Sequence, residues 1–421
     1  MTALAPAMFA DRFRALRHRN FRLFWSGQLV SVIGTWMQSV AQGWLMHRLT
    51  DSAWMLGVLA FTQFAPVTVL SLWAGVVTDR VDRRRLILIT QSLCAVQAVA
   101  LAAVVSAGVV KPWMVLALAF VFGCVNAFDL PARQSFLVEM VGKEDLPNAI
   151  ALNSAGFNAA RVLGPAVAGL TLAAVGEAAC FWINAVSYLV VIVMLLRIQP
   201  APRVIEAAAN TGDWREGVRY VMRTPPIRNL LILLGVMSSL GFQYSTLLPV
   251  YARTILHSGA QGYGLMVSAF GLGSLLSAIV LMRRHDRWAL RRNILLALGT
   301  AAVGMFGFAW SRRMPLTLLM GFASGFGLIF YVATTNVMLQ LTVDDAYRGR
   351  VMSLYTLMFI GTSPIGAILA GAVAEHWGAP MATSGCAVVL AGGALWMVWR
   401  LRVLAAREAV PVTPPTTERL G

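Results

Sequence analysis

Long apolar runs alternate with short polar connections along almost the whole chain. The runs are about 20 residues long, which is the length that an α-helix needs to cross the hydrocarbon core of a bilayer. A window of that length gives twelve candidate membrane spans: 23–46, 54–77, 86–107, 113–129, 148–174, 179–197, 229–251, 261–282, 293–310, 315–340, 351–374 and 381–399. The pattern therefore predicts an all-α membrane protein with both termini on the same side.

The polar segment 198–228 is the longest interruption, and it separates six spans from six. The two halves also contain similar stretches: RVLGPAVAG of span five matches IGTSPIGAILAG of span eleven, with Pro165 and Pro364 at similar depths. Two similar halves around a central site are the layout of many secondary transporters. The predicted units are a basic N-terminal segment, two pseudo-symmetric six-helix bundles and a tail, at 1–22, 23–197, 229–399 and 400–421.

The segment between the halves, 198–228, predicts a linker followed by one short helix. Asp213 is placed to cap this helix, and Pro225 with Pro226 ends it before span seven. Four apolar residues share one face of the helix: Trp214, Val218, Val221 and Met222. Such a face suits the surface of the membrane and suits equally well a packing surface on the bundle.

Composition agrees with a membrane protein. Of the 421 residues, 58% are hydrophobic and only 12% are charged, against about 25% charged residues in a soluble protein. The four cysteines lie inside apolar runs, which indicates neither a disulfide framework nor a zinc site. The net charge of +16 would suit nucleic acid, but the basic residues lie between spans instead of forming a patch. No nucleic-acid partner is expected.

Basic residues are divided unequally between the two sides of the predicted membrane protein. The N-terminal segment, the connections from even to odd spans and the C-terminal tail hold most of the 34 Lys and Arg residues. The opposite loops hold five: Arg48, Lys111, Arg253, Arg312 and Arg313. By the positive-inside rule, both termini are predicted to be cytoplasmic.

The connection between spans two and three, GVVTDRVDRRRL, concentrates charge where apolar sequence continues on both sides. It carries the pattern G-x-x-x-D-R-x-x-R-R through Gly75, Asp79, Arg80, Arg83 and Arg84. A glycine lets a neighbouring helix approach closely, and a carboxylate at a helix end can face the positive N-terminus of another helix. After the second of twelve spans, this pattern closely resembles the signature of the major facilitator superfamily.

That resemblance implies a latch on the cytoplasmic side, and breaking it opens the inward-facing state. Asp79 would face the start of span eleven, near 350–353, and the arginines would help to hold the halves together. Asp129, with Arg133 one turn on, ends span four, and in the family such an Asp pairs with a loop arginine, here Arg80 or Arg83. The alternatives are that the arginines only fix topology and that Asp129 carries a proton.

Span five contains AGFNAARVLGPAVAG, which resembles the G-P-x-x-G motif of drug:proton antiporters through Gly164, Pro165 and Gly169. Small residues permit close helix packing, and the proline bends the helix. Longer stretches over nearly the whole chain resemble the branch that contains enterobactin exporters and macrolide-efflux proteins. The alternative is a kinked packing helix of the kind found in any transporter.

Arg161 lies about 20 Å along span five, and Asn158 shares its helical face. An unpaired Arg near the bilayer centre costs about 2.5–3.5 kcal/mol, so it must face a polar cavity or partners. We expect it to line the translocation path and to attract an anionic group of the substrate. The alternative is a strut that hydrogen-bonds between helices and never touches substrate.

Spans one, four, seven and ten flank the cavity in the family, and each offers polar residues. Span one carries four on one helical face: Gln28, Thr35, Gln38 and Gln42. The other spans add Asn126, Gln243, Tyr244, Tyr331 and Asn336. Hydrogen bonding between helices would explain any one of them as well.

The resemblance implies a monomeric carrier in the bacterial inner membrane that exports small amphiphilic molecules, of drug or siderophore type, by alternating access. It implies protons as the coupling ion, whereas no Asp or Glu lies deep in a span. Import, or movement of lysophospholipid between leaflets, remains open. No nucleotide or phosphate-binding fingerprint and no metal-ligand spacing of His occurs, so no cofactor or metal is expected. A membrane-embedded enzyme and a passive pore are the alternatives of another class.

Overall fold

A computed structural model describes residues 13–199, 214–281, 287–344 and 347–408. The described residues form helices and no strand, as the sequence predicts. The first half contains α1 (Arg19–Thr50), α2 (Ala53–Arg80), α3 (Arg83–Ser106), α4 (Pro112–Gly142), α5 (Glu144–Val175) and α6 (Glu177–Arg197). A short helix, α7 (Trp214–Arg223), follows. The second half contains α8 (Pro225–Ile255), α9 (Gly259–Leu281), α10 (Arg287–Trp310), α11 (Met314–Thr342), α12 (Arg348–Trp377) and α13 (Ala379–Glu408).

Eleven of the described helices are long and apolar enough to cross a membrane. The twelfth, α1, falls below that level because it carries the polar residues noted above, yet it packs against α5 and α6 like its neighbours. The all-α fold with twelve membrane helices is therefore confirmed. Much of the predicted N-terminal segment, linker and tail, at 1–12, 200–213 and 409–421, lies outside the described residues.

The connection between α4 and α5 is shorter than the sequence analysis expected. The predicted loop at 130–147 is helical on both sides of Gly142, whose φ of 73° makes the break. A positive φ favours glycine because it has no side chain to clash with the backbone. Pro147 is tolerated because it lies in the first turn of α5, where backbone N–H groups have no acceptor within the helix.

Two helix pairs form most of the contact between the halves: α2 with α12, and α5 with α9. Along α2, a Cβ at Gly57 would lie 2.6 Å from the carbonyl oxygen of Ala367, and Thr68 still touches Gly361. At Gly75, a Cβ would meet no atom within 4 Å. The two helices therefore diverge toward the side on which α1 begins, α13 ends and α7 lies. We call this the terminal side and the opposite one the distal side.

The short helix α7 packs against the second half on the terminal side. Tyr220 stacks on Tyr347, with ring centroids 4.2 Å apart, and its hydroxyl donates to Asp344 over 3.1 Å. Glu216 forms an ion pair of 2.9 Å with Arg350 at the start of α12. The helix therefore packs on the second half through Glu216, Tyr220 and the buried Val221, whereas Met222 of the predicted apolar face is exposed. Asp213 and the side chain of Trp214 lie outside the described residues.

Candidate functional site

An ion pair crosses the junction of the halves on the distal side. Arg253 of α8 donates to the Asp51 carboxylate over 2.7 Å and to the carbonyl oxygen of His47 over 3.0 Å. The His47 ring is buried, and its Nε2 lies 3.5 Å from the hydroxyl of Thr254. These contacts tie the end of α1 to α8, and separation of the halves on this side breaks them.

A second carboxylate joins the halves nearby. Glu375, close to the end of α12, accepts hydrogen bonds of 3.0 Å from the Ser52 hydroxyl and from the backbone N–H of Trp54. Ser52 is the N-cap of α2, and a carboxylate is favourable there because the unpaired N–H groups present positive charge. We call Asp51, Ser52, Arg253 and Glu375 the distal gate.

Helices α2 and α12 run in opposite directions, so the N-terminus of each lies beside the C-terminus of the other. Glu375 therefore has on the distal side the position that the sequence analysis gave to Asp79 on the terminal side. The side chain of Asp79 lies outside the described residues. The close helix approach predicted at Gly75 is wrong for this conformation, because α2 and α12 have already diverged at that depth.

Removing Arg253 and Glu375 together, as Arg253→Ala/Glu375→Ala, is expected to open the distal side. The contacts are part-exposed and contribute about 0.5–1 kcal/mol each, so their joint loss shifts the equilibrium by about tenfold. The opening is measured by maleimide labelling of Ala367→Cys, a position that is buried between α2 and α12. The protein is held in nanodiscs, and its native cysteines are replaced beforehand. The control removes Arg48 and Glu177, whose 2.7 Å ion pair lies within the first half. Equal labelling of both variants would contradict the assignment of the gate.

The arginines of the predicted latch bind within the first half or face solvent. Arg83 donates to Glu139 over 2.7 Å. Arg84 donates to two carbonyl oxygens at the end of α6, over 2.9 and 3.0 Å, where a cation is favourable. Arg80 is exposed. The predicted pairing of Asp129 with Arg80 or Arg83 is wrong.

Asp129 is instead the centre of a buried polar group between α3 and α4. It is 2% exposed, pairs with Arg133, and accepts hydrogen bonds from Thr90 over 2.6 Å and from Gln91 over 3.0 Å. Arg83 lies two turns before Thr90 on α3, too far along the helix to compete. Arg133, one turn after Asp129 on the same helix, reaches it first.

Arg161 lies where the two halves meet. Its guanidinium carbon is 6.0 Å from the centroid of the Trp36 ring of α1, and the group lies near the Tyr244 phenol of α8. Phe157, one turn earlier on α5, meets Trp36 edge to face at 6.1 Å, and Tyr244 stacks on Phe270 at 3.9 Å. We call Trp36, Phe157, Arg161 and Tyr244 the Arg161 group. The group brings together Arg161 and Tyr244, two of the residues that the sequence analysis placed along the translocation path.

The helix that supplies Tyr244 is irregular just before it. In α8 a π-helical turn covers Met237–Gly241, and α12 has a similar turn at Leu357–Gly361. The two turns bind each other: the Ser238 hydroxyl donates to the carbonyl oxygen of Phe359, and that of Thr362 donates to Gly235 over 3.2 Å. Broken helices at membrane depth are typical of binding sites, because they free backbone groups to face a cavity.

Both glycines of the G-P-x-x-G motif lie at close helix contacts. A Cβ at Gly164 would lie 2.5 Å from the Cβ of Trp36, so this glycine lets α1 pack closely on α5 near Arg161. A Cβ at Gly169 would lie 2.9 Å from the Cα of Gly264, across the junction on α9. Pro165 packs there too, its carbonyl 2.7 Å from a Cβ at Gly264.

Two residues of the predicted polar stripe on α1 bind other helices of the first half. Gln38, 1% exposed, donates to Gln97 over 3.0 Å and accepts from Asn184 over 2.8 Å. The hydroxyl of Thr35 is 3.2 Å from that of Tyr188. These are the hydrogen bonds between helices that the sequence analysis left open as the alternative, and they are directed toward α3 and α6.

The remaining candidates fall into two sets: some form hydrogen bonds within their own helix, and for the others the structure fixes no role. The first set comprises Gln243 with the Ser238 carbonyl (3.1 Å), Asn158 with the Ser154 carbonyl (2.8 Å) and Asn336 with Gln340 (2.6 Å). The second comprises Gln42 and Tyr331, which are buried, and Gln28 and Asn126, which are part-buried. Their place along a translocation path stays a prediction.

The sequence matches the transmembrane secretion effector family over residues 10–419. Among curated proteins it is similar to the multidrug efflux pump Tap of Mycolicibacterium fortuitum, with 29% identity over 83% of this chain and 88% of that protein. It is similar to the enterobactin exporter EntS of Escherichia coli, with 24% identity over 96% of each chain. It is also similar to the staphyloferrin A transporter of Staphylococcus aureus, with 24% identity over 85% of this chain and 90% of that one.

Solved structures share the fold. The nucleoside transporter NupG superposes with a TM-score of 0.72 at 12% identity, over 91% of this chain and 99% of that one. A bacterial homologue of the lysosomal transporter Spinster gives 0.73 at 12% identity, over 91% of this chain and 97% of that one. The chain therefore belongs to the transmembrane secretion effector family, and it is a multi-pass membrane transporter of small molecules in the major facilitator superfamily.

Proposed function

We propose that this chain exports small amphiphilic molecules, of drug or siderophore type, by alternating access. One observation carries the proposal: the halves are packed at Gly57 on the distal side and are apart at Gly75 on the terminal side. A carrier must close one side while the other is open. Glu375 and Asp79, at opposite ends of the α2–α12 pair, supply one closing contact for each side.

The terminal side is the cytoplasmic one in this proposal, with both termini in the cytoplasm of a bacterium. The support is the concentration of Lys and Arg in the terminal-side segments, which the positive-inside rule assigns to the cytoplasm. The described conformation is then open to the cytoplasm, which is the state in which an exporter takes up its substrate.

Export, as opposed to import, is supported by the names of similar proteins and by span five. Tap is named a multidrug efflux pump and EntS an enterobactin exporter. The G-P-x-x-G motif of drug:proton antiporters is present, and Gly169 of that motif packs α5 against α9 at the junction of the halves.

Proton antiport is part of the proposal through the same resemblance. A coupling proton needs a carboxylate that changes its surroundings as the halves move. Asp51 and Glu375 meet this requirement because their partners across the junction, Arg253 for Asp51 and the start of α2 for Glu375, are lost when the distal side opens. Asp129 does not, since its contacts lie within the first half.

The test is efflux from energised cells loaded with a panel of dyes, macrolides and siderophores, with and without a protonophore. Cells that carry the protein are expected to lose at least one class of compound faster than cells with an empty vector. The protonophore is expected to abolish that difference. Energy-dependent accumulation of a compound would contradict export, and efflux that persists with the protonophore would contradict proton coupling.

A further inference from the structure

The charge of Arg161 has no carboxylate partner in the described part of the chain. The recorded ion pairs of the first half use Arg14, Arg48, Arg83 and Arg133. The groups beside Arg161 are instead an indole face and a phenol. Both favour a cation, but neither neutralises it. A guanidinium at this depth therefore retains the capacity to bind an anion.

Aromatic rings from both halves of the protein lie around this guanidinium. Trp36 and Phe157 belong to the first half, and Tyr244, stacked on Phe270, belongs to the second. Planar rings offer a large apolar face to a flat ligand. The constellation therefore combines one fixed cation with ring surfaces beside it.

The face of α5 that carries Arg161 is exposed between Arg161 and the terminal side. Phe157 is 48% exposed, and Ser154, about one turn further toward that side, is exposed as well. Ser154, Phe157 and Arg161 are spaced by three and four residues, so they follow one face of α5. A ligand that enters from the terminal side would meet the ring of Phe157 before it reaches the guanidinium.

We propose that the Arg161 group binds the anionic, aromatic part of the substrate. Arg161 donates two hydrogen bonds to a carboxylate, phenolate or sulfonate, and Trp36 with Phe157 packs on the attached ring. This rests on the proposed function and names the substrate class within it. Guanidinium suits this task because its planar set of N–H donors matches an oxyanion with two oxygens.

Tyr244 gives the site its link to the other half. Its phenol lies near Arg161 in the described conformation, so an anion bound to Arg161 lies where the two halves meet. Tyr244→Phe removes the hydroxyl and keeps the ring on Phe270. Binding of the anion is expected to weaken less in this variant than in Arg161→Gln, because the guanidinium remains.

The experiment measures binding by calorimetry to the purified chain in nanodiscs, with empty nanodiscs as the blank. The probes are two pairs of aromatic anion and neutral amide: 2-naphthoate with 2-naphthamide, and indole-3-acetate with indole-3-acetamide. The wild type is expected to bind at least one anion about tenfold more tightly than its amide, as a charge-assisted bond would give. Equal affinity within both pairs, or no binding of either anion, would overturn the proposal.

Two variants separate the guanidinium from charge in general. Arg161→Gln is expected to lose the preference for the anion, and Arg161→Lys to keep part of it. Arg312→Gln, an exposed residue on the distal side, is the control and is expected to keep it fully. Retention of the full preference by Arg161→Gln would overturn the assignment. If Arg161→Gln does not fold, the comparison of anion and amide binding to the wild type decides the matter.

The outcome is distinct from that of the efflux test. Efflux of neutral compounds by a protein that does not prefer anions would leave the export proposal standing and remove the anion site. A preference for anions in a protein that shows no efflux would leave the anion site standing and remove the export proposal.

Discussion

Asp129→Asn is expected to lower the free energy of unfolding by about 3–5 kcal/mol, the usual cost of leaving a buried charge without its partner. Arg133 would remain between α3 and α4 with 14% of its side chain exposed and no carboxylate beside it. Thr90 and Gln91 would lose the anion to which they donate. Thermal unfolding followed by tryptophan fluorescence in detergent measures the change.

A second variant checks the cause of that loss. Asp129→Asn/Arg133→Met removes both charges, and it is expected to be more stable than the single variant because no unpaired charge remains. If Asp129→Asn unfolds at the wild-type temperature, then Asp129 does not stabilise Arg133. The interpretation of Asp129 as a proton carrier would then regain support.

Gly169→Leu is expected to abolish transport and to lower the melting temperature. A Cβ there would lie 2.9 Å from the Cα of Gly264 and 3.2 Å from the carbonyl oxygen of Ala260. Added volume in a packed site costs about 1–3 kcal/mol, and backbone on the opposing helix cannot move aside as a side chain can. The cost is therefore expected at the upper end of that range, and α5 and α9 would be forced apart.

The matched control is Gly385→Leu in α13, where a Cβ meets no atom within 4 Å. It adds the same side chain to a membrane helix without touching the junction, so transport and melting temperature are expected to stay near wild type. Both variants are compared by efflux from cells and by melting of the purified protein. Transport by Gly169→Leu at the wild-type rate would contradict the close packing of α5 on α9.

The features that the sequence predicts well depend on short stretches of chain. Twelve apolar runs give twelve membrane helices because each helix needs only its own 20 or so residues to satisfy its backbone in lipid. Arg161 could be singled out for a similar reason, since one cation deep in an apolar run is costly wherever it points. Its aromatic partner Trp36 lies on another helix, and only the fold brings the two together.

The features that the sequence does not predict depend on the register between distant helices and on the conformation. Arg83 meets Glu139 and not Asp129 because of the way α3 and α4 are aligned, and Asp129 pairs with Arg133 on its own helix. Periodicity places Gln38 on a polar face of α1, but it does not say that the face meets α3 and α6.

The distal gate was missed altogether, although a clue was present. Charges are sparse on the distal side, and Asp51, Arg253 and Glu375 are among the few. Near an apolar bundle such charges gain from pairing, which could have suggested a contact between loops. Which loops meet follows only from the antiparallel arrangement of α2 and α12.

The most direct test of alternating access measures both sides of the junction in one protein. Spin labels replace the exposed Arg85 and Arg292 on the terminal side, or Val109 and Arg312 on the distal side, and double electron–electron resonance gives each distance. When an exported substrate identified in the efflux screen is added, or the pH is lowered, we predict that the terminal distance shortens while the distal distance lengthens. Distances that stay fixed, or that change in the same direction, would contradict alternating access.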